Sequence, residues 1–301
     1  MFTFFVLIMK KKLFCLLFCS GMIVSLAAQK IEVKEPRLIK EAGTEAYHPV
    51  FTPDGKTILL SSESYAGLRS FNLETKKVRI LTDATGAGWN LAISDDSQSA
   101  CFQKIDPNAD FRDAKSFYSV NLDNQQVQRV MSPVEDSSTR PVLLMKSKAA
   151  IKSPVIAYAS EDLQIVVEKN GKQTILTPNG TDETYMWVEL SPDKTKIVYN
   201  VSSIGETFIC DLSGKVLANL GRLSAPQWLN KDYVVGMNDF DDGHVVVKSN
   251  IIGISANGKV RQELTQLGDK IAMFPAVSPD GSKIAFNTLK GELYIMEVVV
   301  K

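Results

Sequence analysis

Residues able to do chemistry are few in this sequence. The 301-residue chain holds only two histidines, His48 and His244, and four cysteines. The densest polar cluster is Asn238-Asp239-Phe240-Asp241-Asp242-Gly243-His244. Carboxylates at that density suit a hard cation such as calcium. The spacing is not that of an EF-hand, because Asn250 stands where the bidentate glutamate belongs. A polar hairpin loop has the same composition, so a turn is expected at Asp239–Asp242, with calcium as the alternative and no other cofactor. Ser191-Pro-Asp-Lys194 matches the S-x-x-K pattern of an acylating serine, but it sits in a repeated turn whose siblings lack the pairing. There is no Gly-rich phosphate loop and no Gly-x-Ser-x-Gly elbow. Cys101 and Cys210 lie alone in apolar runs without Cys-x-x-Cys spacing and read as buried small hydrophobes. No catalytic residue is assigned, and the balance leans away from an enzyme.

The charges exclude another class. Lys plus Arg number 34 and Asp plus Glu number 34, so no basic patch points to nucleic acid. The N-terminus stands apart from the rest. Lys10-Lys11-Lys12 precede an apolar run from Leu13 to Leu26, and Ala27-Ala28 follow. A basic start, a short apolar centre and small residues at the end define a Sec-type signal peptide. Residues 1–28 are therefore expected to be removed, with Met9 an alternative start and an uncleaved anchor the competing reading. Phe18 before Cys19 does not fit a lipid-attachment site. The mature chain, 29–301, is expected to be periplasmic, secreted or on the cell surface, with no transmembrane span left after cleavage.

The elements that must carry any site come from a repeat. Four segments share one register: His48-Pro-Val-Phe-Thr-Pro-Asp-Gly-Lys, Asn90-Leu-Ala-Ile-Ser-Asp-Asp-Ser-Gln, Trp187-Val-Glu-Leu-Ser-Pro-Asp-Lys-Thr and Phe274-Pro-Ala-Val-Ser-Pro-Asp-Gly-Ser. Each is a short strand, a tight turn and, beyond it, a second apolar strand. Proline presets φ in the turn while Asp and Gly tolerate the reversal. Weaker copies start at Arg140 and Ala225. Anchored at Thr52, Ser94, Leu144, Ser191, Leu229 and Ser278, the repeats recur at the length of one four-stranded propeller blade. The expected fold is all-β, a six-bladed propeller of four-stranded antiparallel blades in a single domain. The last repeat has only three strands, and an orphan strand, Arg37-Leu-Ile-Lys40, precedes the first. Pairing it onto the last blade closes the ring and covers two open edges.

The Ser-Pro-Asp-Gly-x-Lys-Ile turn, with an apolar residue before the serine, resembles the WD40-like (PD40) repeat of TolB-like propellers. The resemblance covers the whole mature chain and implies architecture, not ligand. No α/β domain ahead of the propeller and no hydrolase domain after it are expected. His48 and His244 also resemble, in part, the histidine-bearing sites of propeller polysaccharide lyases, which use more histidines together with a metal.

Propeller geometry brings the loops before each first strand, and those joining the second and third strands, to one face. One repeat position per blade marks its rim: His48, Asn90, Arg140, Trp187, Ala225 and Phe274. The position three residues on (Phe51, Ile93, Leu143, Trp228) is uniformly apolar and reads as packing. Same-face loops add Trp89, Arg112, Tyr185, Phe240, Asp241 and His244, among others. The segment 106–115 is the longest loop on this face and is expected to offer Phe111 and Arg112 to a partner. Aromatic and arginine side chains dominate protein-binding hot spots. The functional expectation is an exported, non-enzymatic interaction scaffold whose partner is an envelope protein or peptide. The alternative is a carbohydrate-binding or lyase-like propeller with a metal-assisted site. Trp89 and Trp187 plugging the channel is the other reading of those two residues.

Overall fold

The repeated turns close as their residue types require. In each of the four strong repeats the Ser or Thr hydroxyl donates to the Asp two positions on, at 2.6 Å: Thr52 to Asp54, Ser94 to Asp96, Ser191 to Asp193 and Ser278 to Asp280. The same hydroxyl accepts an amide across the turn, from Thr57, Ser99, Lys196 and Lys283 in turn. The residue after Asp takes a positive φ in every copy (Gly55 69°, Ser97 59°, Lys194 57°, Gly281 68°), which explains glycine in two of them. These bonds stabilise the ionised carboxylate, so all four aspartates titrate low, Asp280 at about 2. A depressed folded pKa gives stability that is present above the unfolded value of 3.8 and lost as pH falls toward the folded value. Urea midpoints of the wild type are therefore expected to drop between pH 4 and 2 more steeply than those of Asp280→Asn. Ser278, which is buried, should cost about 1 kcal/mol on replacement by alanine.

The fold comes from a computed structural model that describes residues 30–105, 115–134, 155–160 and 162–301. It is a six-bladed propeller of antiparallel sheets. Blade one runs Tyr47–Phe51, Thr57–Ser61, Leu68–Asn72 and Val78–Thr82. Blade two runs Ala92–Ile93, Ser99–Ile105, Lys115–Asn121 and Val127–Val134. Three strands of blade three are described, Ile156–Ala159, Ile165–Lys169 and Lys172–Leu176. Blade four has Tyr185–Leu190, Lys196–Val201, Glu206–Asp211 and Val216–Arg222, and blade five has Ser224–Trp228, Tyr233–Asp241, Val246–Ser255 and Arg261–Glu263. Blade six contributes Ala272–Val277, Lys283–Thr288 and Leu293–Val300. The first strands of blades four, five, six and one approach their neighbours around the axis. Middle strands are buried, and outermost strands carry exposed residues such as Ile80 and Ile175.

Closure is by the N-terminal segment, in two pieces. Arg37–Leu38 pairs with Tyr294–Ile295, as the orphan strand should. Ile31–Val33 pairs further along the same strand, with Val298–Val300, and sequence reading did not anticipate it. Pro36, which cannot donate to a ladder, lies in the break between the pieces. The expected strand also stops earlier than Lys40, which begins a 3-10 turn to Ala42. Gln262 of blade five clamps the first piece, accepting from the Ile31 amide (3.2 Å) and donating to its carbonyl (2.5 Å).

The core is distributed as layers between blades. Phe51, Ile58, Leu60 and Phe71 of blade one pack on Ala276, Ala285 and Ile295 of blade six, and this layer seals the ring. Ile31 joins Tyr233, Val235, Ile284 and Phe286 in the layer between blades five and six. Cys101 and Cys210 are buried, and burial pushes the Cys210 thiol up to about 12.

Candidate functional site

Four of the described first strands break their regular geometry at the rim position. In four blades the register slips there: between Tyr47 and Val50, Met186 and Glu189, Ser224 and Gln227, and Met273 and Ala276. Inside those slips His48, Trp187, Ala225 and Phe274 sit at φ between 46° and 50°, and Asn90 of blade two stands at 51°. Left-handed backbone is uncommon for residues other than glycine, and a bulge that uses it re-aims one side chain. Such strain, on the order of 1–3 kcal/mol per residue, persists only where surroundings over-determine it. Here the preceding blade does so. The His48 amide donates to Asn287 Oδ1 (3.1 Å), and the Phe274 amide to Met237 Sδ (3.1 Å). Among the described residues the rim column is thus mixed in chemistry and uniform in backbone, which the sequence did not reveal.

The re-aimed side chains assemble an aromatic run across blades six, one and two. The His48 ring stacks on Tyr65 at 3.7 Å and meets Phe274 edge-on at 4.4 Å. Tyr65 in turn lies edge-on to Trp89, with centroids 4.9 Å apart. Nε2 of His48 is 3.1 Å from the Glu63 carbonyl, which selects the Nε2–H tautomer. Desolvation lowers the His48 pKa, so the ring is neutral at pH 7. Trp89 remains 47% exposed and Trp187 38% exposed, so neither is sealed inside the channel. Gly88 makes the seat of Trp89 possible, since a Cβ there would collide with the Ser61 side chain.

The other expected residues divide. Asn90 is exposed on the same rim. Tyr185 is not available: it is fully buried, its hydroxyl donating to the Gly180 carbonyl (2.9 Å) and accepting from the Asn179 amide (3.2 Å). Phe240, 43% exposed, carries the Arg222 guanidinium 5.5 Å from its ring centroid, and Arg222 reaches Asp241 at 3.5 Å. The blade-five strands extend further than the sequence suggested, so Asn238–Asp241 is ladder and the turn is 242–245. In that turn Asp241 Oδ1 accepts from Gly243, and Asp242 Oδ1 accepts from His244 and Val245, each at 3.0 Å. These carboxylates are engaged by their own backbone, as in an ordinary turn. His244 is exposed at its tip. Phe111, Arg112 and Arg140 fall outside the described residues, as does most of the segment 106–115. Among the described residues no group of three or more His, Cys, Asp or Glu is placed to hold a metal ion.

One residue was overlooked. Glu189 lies in the first strand of blade four, two positions past Trp187. Its Oε2 accepts from the Trp228 amide (3.1 Å), and its carbonyl accepts from the Trp228 indole (3.2 Å). Enclosure pushes the carboxyl up to about 8, against 4.5 for a free one. The corresponding residues are Val50, Ala92, Gln227 and Ala276, so a lone acid in that column was the signal available. A carboxyl held protonated near neutrality on a channel strand can donate a hydrogen bond as well as accept one.

No family model and no curated protein matches the sequence. Among solved structures, TolB from Acinetobacter baumannii superposes with a TM-score of 0.51 at 21% identity, over 76% of this chain and 56% of that one. The tricorn protease gives 0.51 at 14% identity, over 85% of this chain and 26% of that one. An oligogalacturonate lyase from Vibrio parahaemolyticus gives 0.49 at 12% identity, over 89% and 96%. The chain spans little more than half of the TolB structure, and identity at this level speaks to fold alone. With its six blades and its N-terminal closure, the chain has the fold of a six-bladed β-propeller, similar to the propeller of TolB.

Proposed function

We propose that this chain is an exported, non-enzymatic binding module that engages a protein or peptide of the bacterial envelope through the loop face around its channel. The observation that carries this reading is the aromatic run Trp89–Tyr65–His48–Phe274, in which His48 and Phe274 are fixed by strained bulges and the Trp89 end is open. A rigid scaffold that holds large aromatics half in solvent has the composition of a binding hot spot. The leader-like residues 1–28 support export to the periplasm or cell surface, and the balanced charge argues against a nucleic-acid partner.

Trp89 and Trp187 are the better probes, because Phe274 is half-buried against His48 and its loss would disturb the scaffold. With partners cross-linked in native envelopes and identified, Trp89→Ala and Trp187→Ala are each expected to weaken binding of the purified partner by about 2 kcal/mol, roughly thirtyfold. Calorimetry on variants with unchanged circular dichroism checks this. Unchanged affinity in both variants refutes the assignment of the face. The same exposed indoles can stack on sugars, which supports the second reading, a carbohydrate-binding or lyase-like propeller. Saturable binding of acidic oligosaccharides that requires calcium or manganese and is lost in Trp89→Ala would favour it.

A further inference from the structure

We propose that the aromatic run takes a cationic side chain, a lysine or arginine of a peptide, with Glu63 meeting its charge. This deepens the reading of the loop face as the binding face and rests on it.

The described residues show such an arrangement complete in two other places. Arg222 lies 5.5 Å from the Phe240 ring centroid and 3.5 Å from Asp241. Lys270 lies 5.3 Å from the Tyr294 ring centroid and 2.8 Å from Glu292. Each joins a ring, a carboxylate and a cation, and the ring face and the acid attract the same charge. At the rim of blade one the first two parts recur. Tyr65 and Trp89 supply the rings, with Trp89 47% exposed. Glu63, two residues before Tyr65 in the same loop, supplies an exposed carboxylate. Among the described residues no lysine or arginine lies over either ring, and none forms a salt bridge with Glu63. His48 is neutral at pH 7, and Lys290, in the adjoining loop of blade six, bears on Glu292 instead. A cation brought by a partner completes the set.

The acceptor groups are held in advance. The Ser62 amide donates to the Ala66 carbonyl across the loop (3.0 Å), and Tyr65 sits at φ 60°. The Tyr65 carbonyl accepts from the Gly88 amide (3.0 Å), beside Trp89, and the Glu63 carbonyl accepts from His48 Nε2 (3.1 Å). Groups already ordered cost little further entropy when they bind. The local field is negative as well. Burial, and after it the charges of Glu63 and Glu45, raise the pKa of the Tyr47 hydroxyl. An acidic ligand is repelled there, whereas a guanidinium or ammonium is drawn to the acids and the rings together.

The test titrates the whole protein with Ac-Gly-Arg-Gly-NH2 at constant ionic strength, following the Trp89 indole N–H and the 62–66 amides by NMR. A saturable shift is expected. The citrulline analogue keeps the shape without the charge, and should bind weaker by about fivefold or more. Because Glu63 is exposed, Glu63→Gln should fold as the wild type does, yet lose the preference for arginine over citrulline. Asp95→Asn, which removes an exposed charge from the opposite face, should keep that preference. Trp89→Ala should bind neither peptide. The proposal is overturned by the absence of a saturable response, by equal binding of the two peptides, or by an unchanged preference in Glu63→Gln. Those results leave the face itself standing as long as Trp89→Ala still weakens the native partner; if it does not, the reading of the face has failed.

Discussion

Replacing Ile31 with alanine is expected to cost about 2–5 kcal/mol, the range for emptying a buried isoleucine site. That is a large share of the roughly 5–15 kcal/mol that holds an ordinary domain together. Ile31 is 1% exposed and lies between blade five and the strand Leu293–Val300. The backbone of blade five is shaped for it: Gly253 leaves the space its side chain fills, and any Cβ there would strike Ile31 Cδ1. Gly253→Ala should therefore destabilise by a similar route, by forcing the closing strand outward. Exposed neighbours act as controls, since Glu32→Gln and Val299→Thr change little that is buried. Urea denaturation separates the two groups. If closure matters as the structure indicates, Ile31→Ala will also free the edge of blade six, and self-association should rise with concentration in sedimentation experiments. A wild-type midpoint for Ile31→Ala would show that the N-terminal segment is dispensable.

The second large effect is one of pH. Glu189 titrates near 4.5 in the unfolded chain and at about 8 in the folded one. Between those values the unfolded chain has released a proton that the folded chain still holds, so stability falls as pH rises through this window. Each unit of displacement is worth about 1.4 kcal/mol, so the full penalty amounts to a few kcal/mol above pH 8. Glu189→Gln keeps an acceptor for the Trp228 amide and has no proton to lose. It is expected to match the wild type near pH 5 and to exceed it by a few kcal/mol at pH 9. The indole of Trp228, bonded to the Glu189 carbonyl, offers a direct probe. Its fluorescence should titrate near pH 8 in the wild type and stay flat in Glu189→Gln. Identical pH profiles for the two proteins would mean that the carboxyl is not desolvated. If the channel receives a partner, a neutral Glu189 presents a donor there, and binding should weaken above pH 8.

Gly236 shows how little freedom the blade contacts leave. A Cβ at this position would lie 2.6 Å from Leu223 Cδ1 and 2.9 Å from the Ser224 carbonyl oxygen. Overpacking of this kind costs about 1–3 kcal/mol. The sequence alone offers Gly236 only as a glycine inside a strand.

What the sequence determined by itself is what short-range chemistry controls. The turns from Thr52, Ser94, Ser191 and Ser278 involve donors and acceptors within five residues, so their register, the six-blade count and the apolar column through Phe51 and Trp228 could all be read directly. The missing fourth strand of the last blade was legible for the same reason, since an odd strand at each end of a repeat array leaves edges that must pair. What only the tertiary structure decided depends on neighbours far along the chain. Ile31 is a strand because Val300 lies beside it, and His48 holds a left-handed backbone because Asn287 of another blade takes its amide. Tyr185 is core and Trp187 is surface, although they stand two residues apart, because the bulge between Met186 and Glu189 turns one inward and the other out. The Glu189 carboxyl titrates high because half-burial against Trp228 and its blade disfavours the charged form. Residue types fix which turns can form, whereas desolvation and register slips are properties of blade against blade.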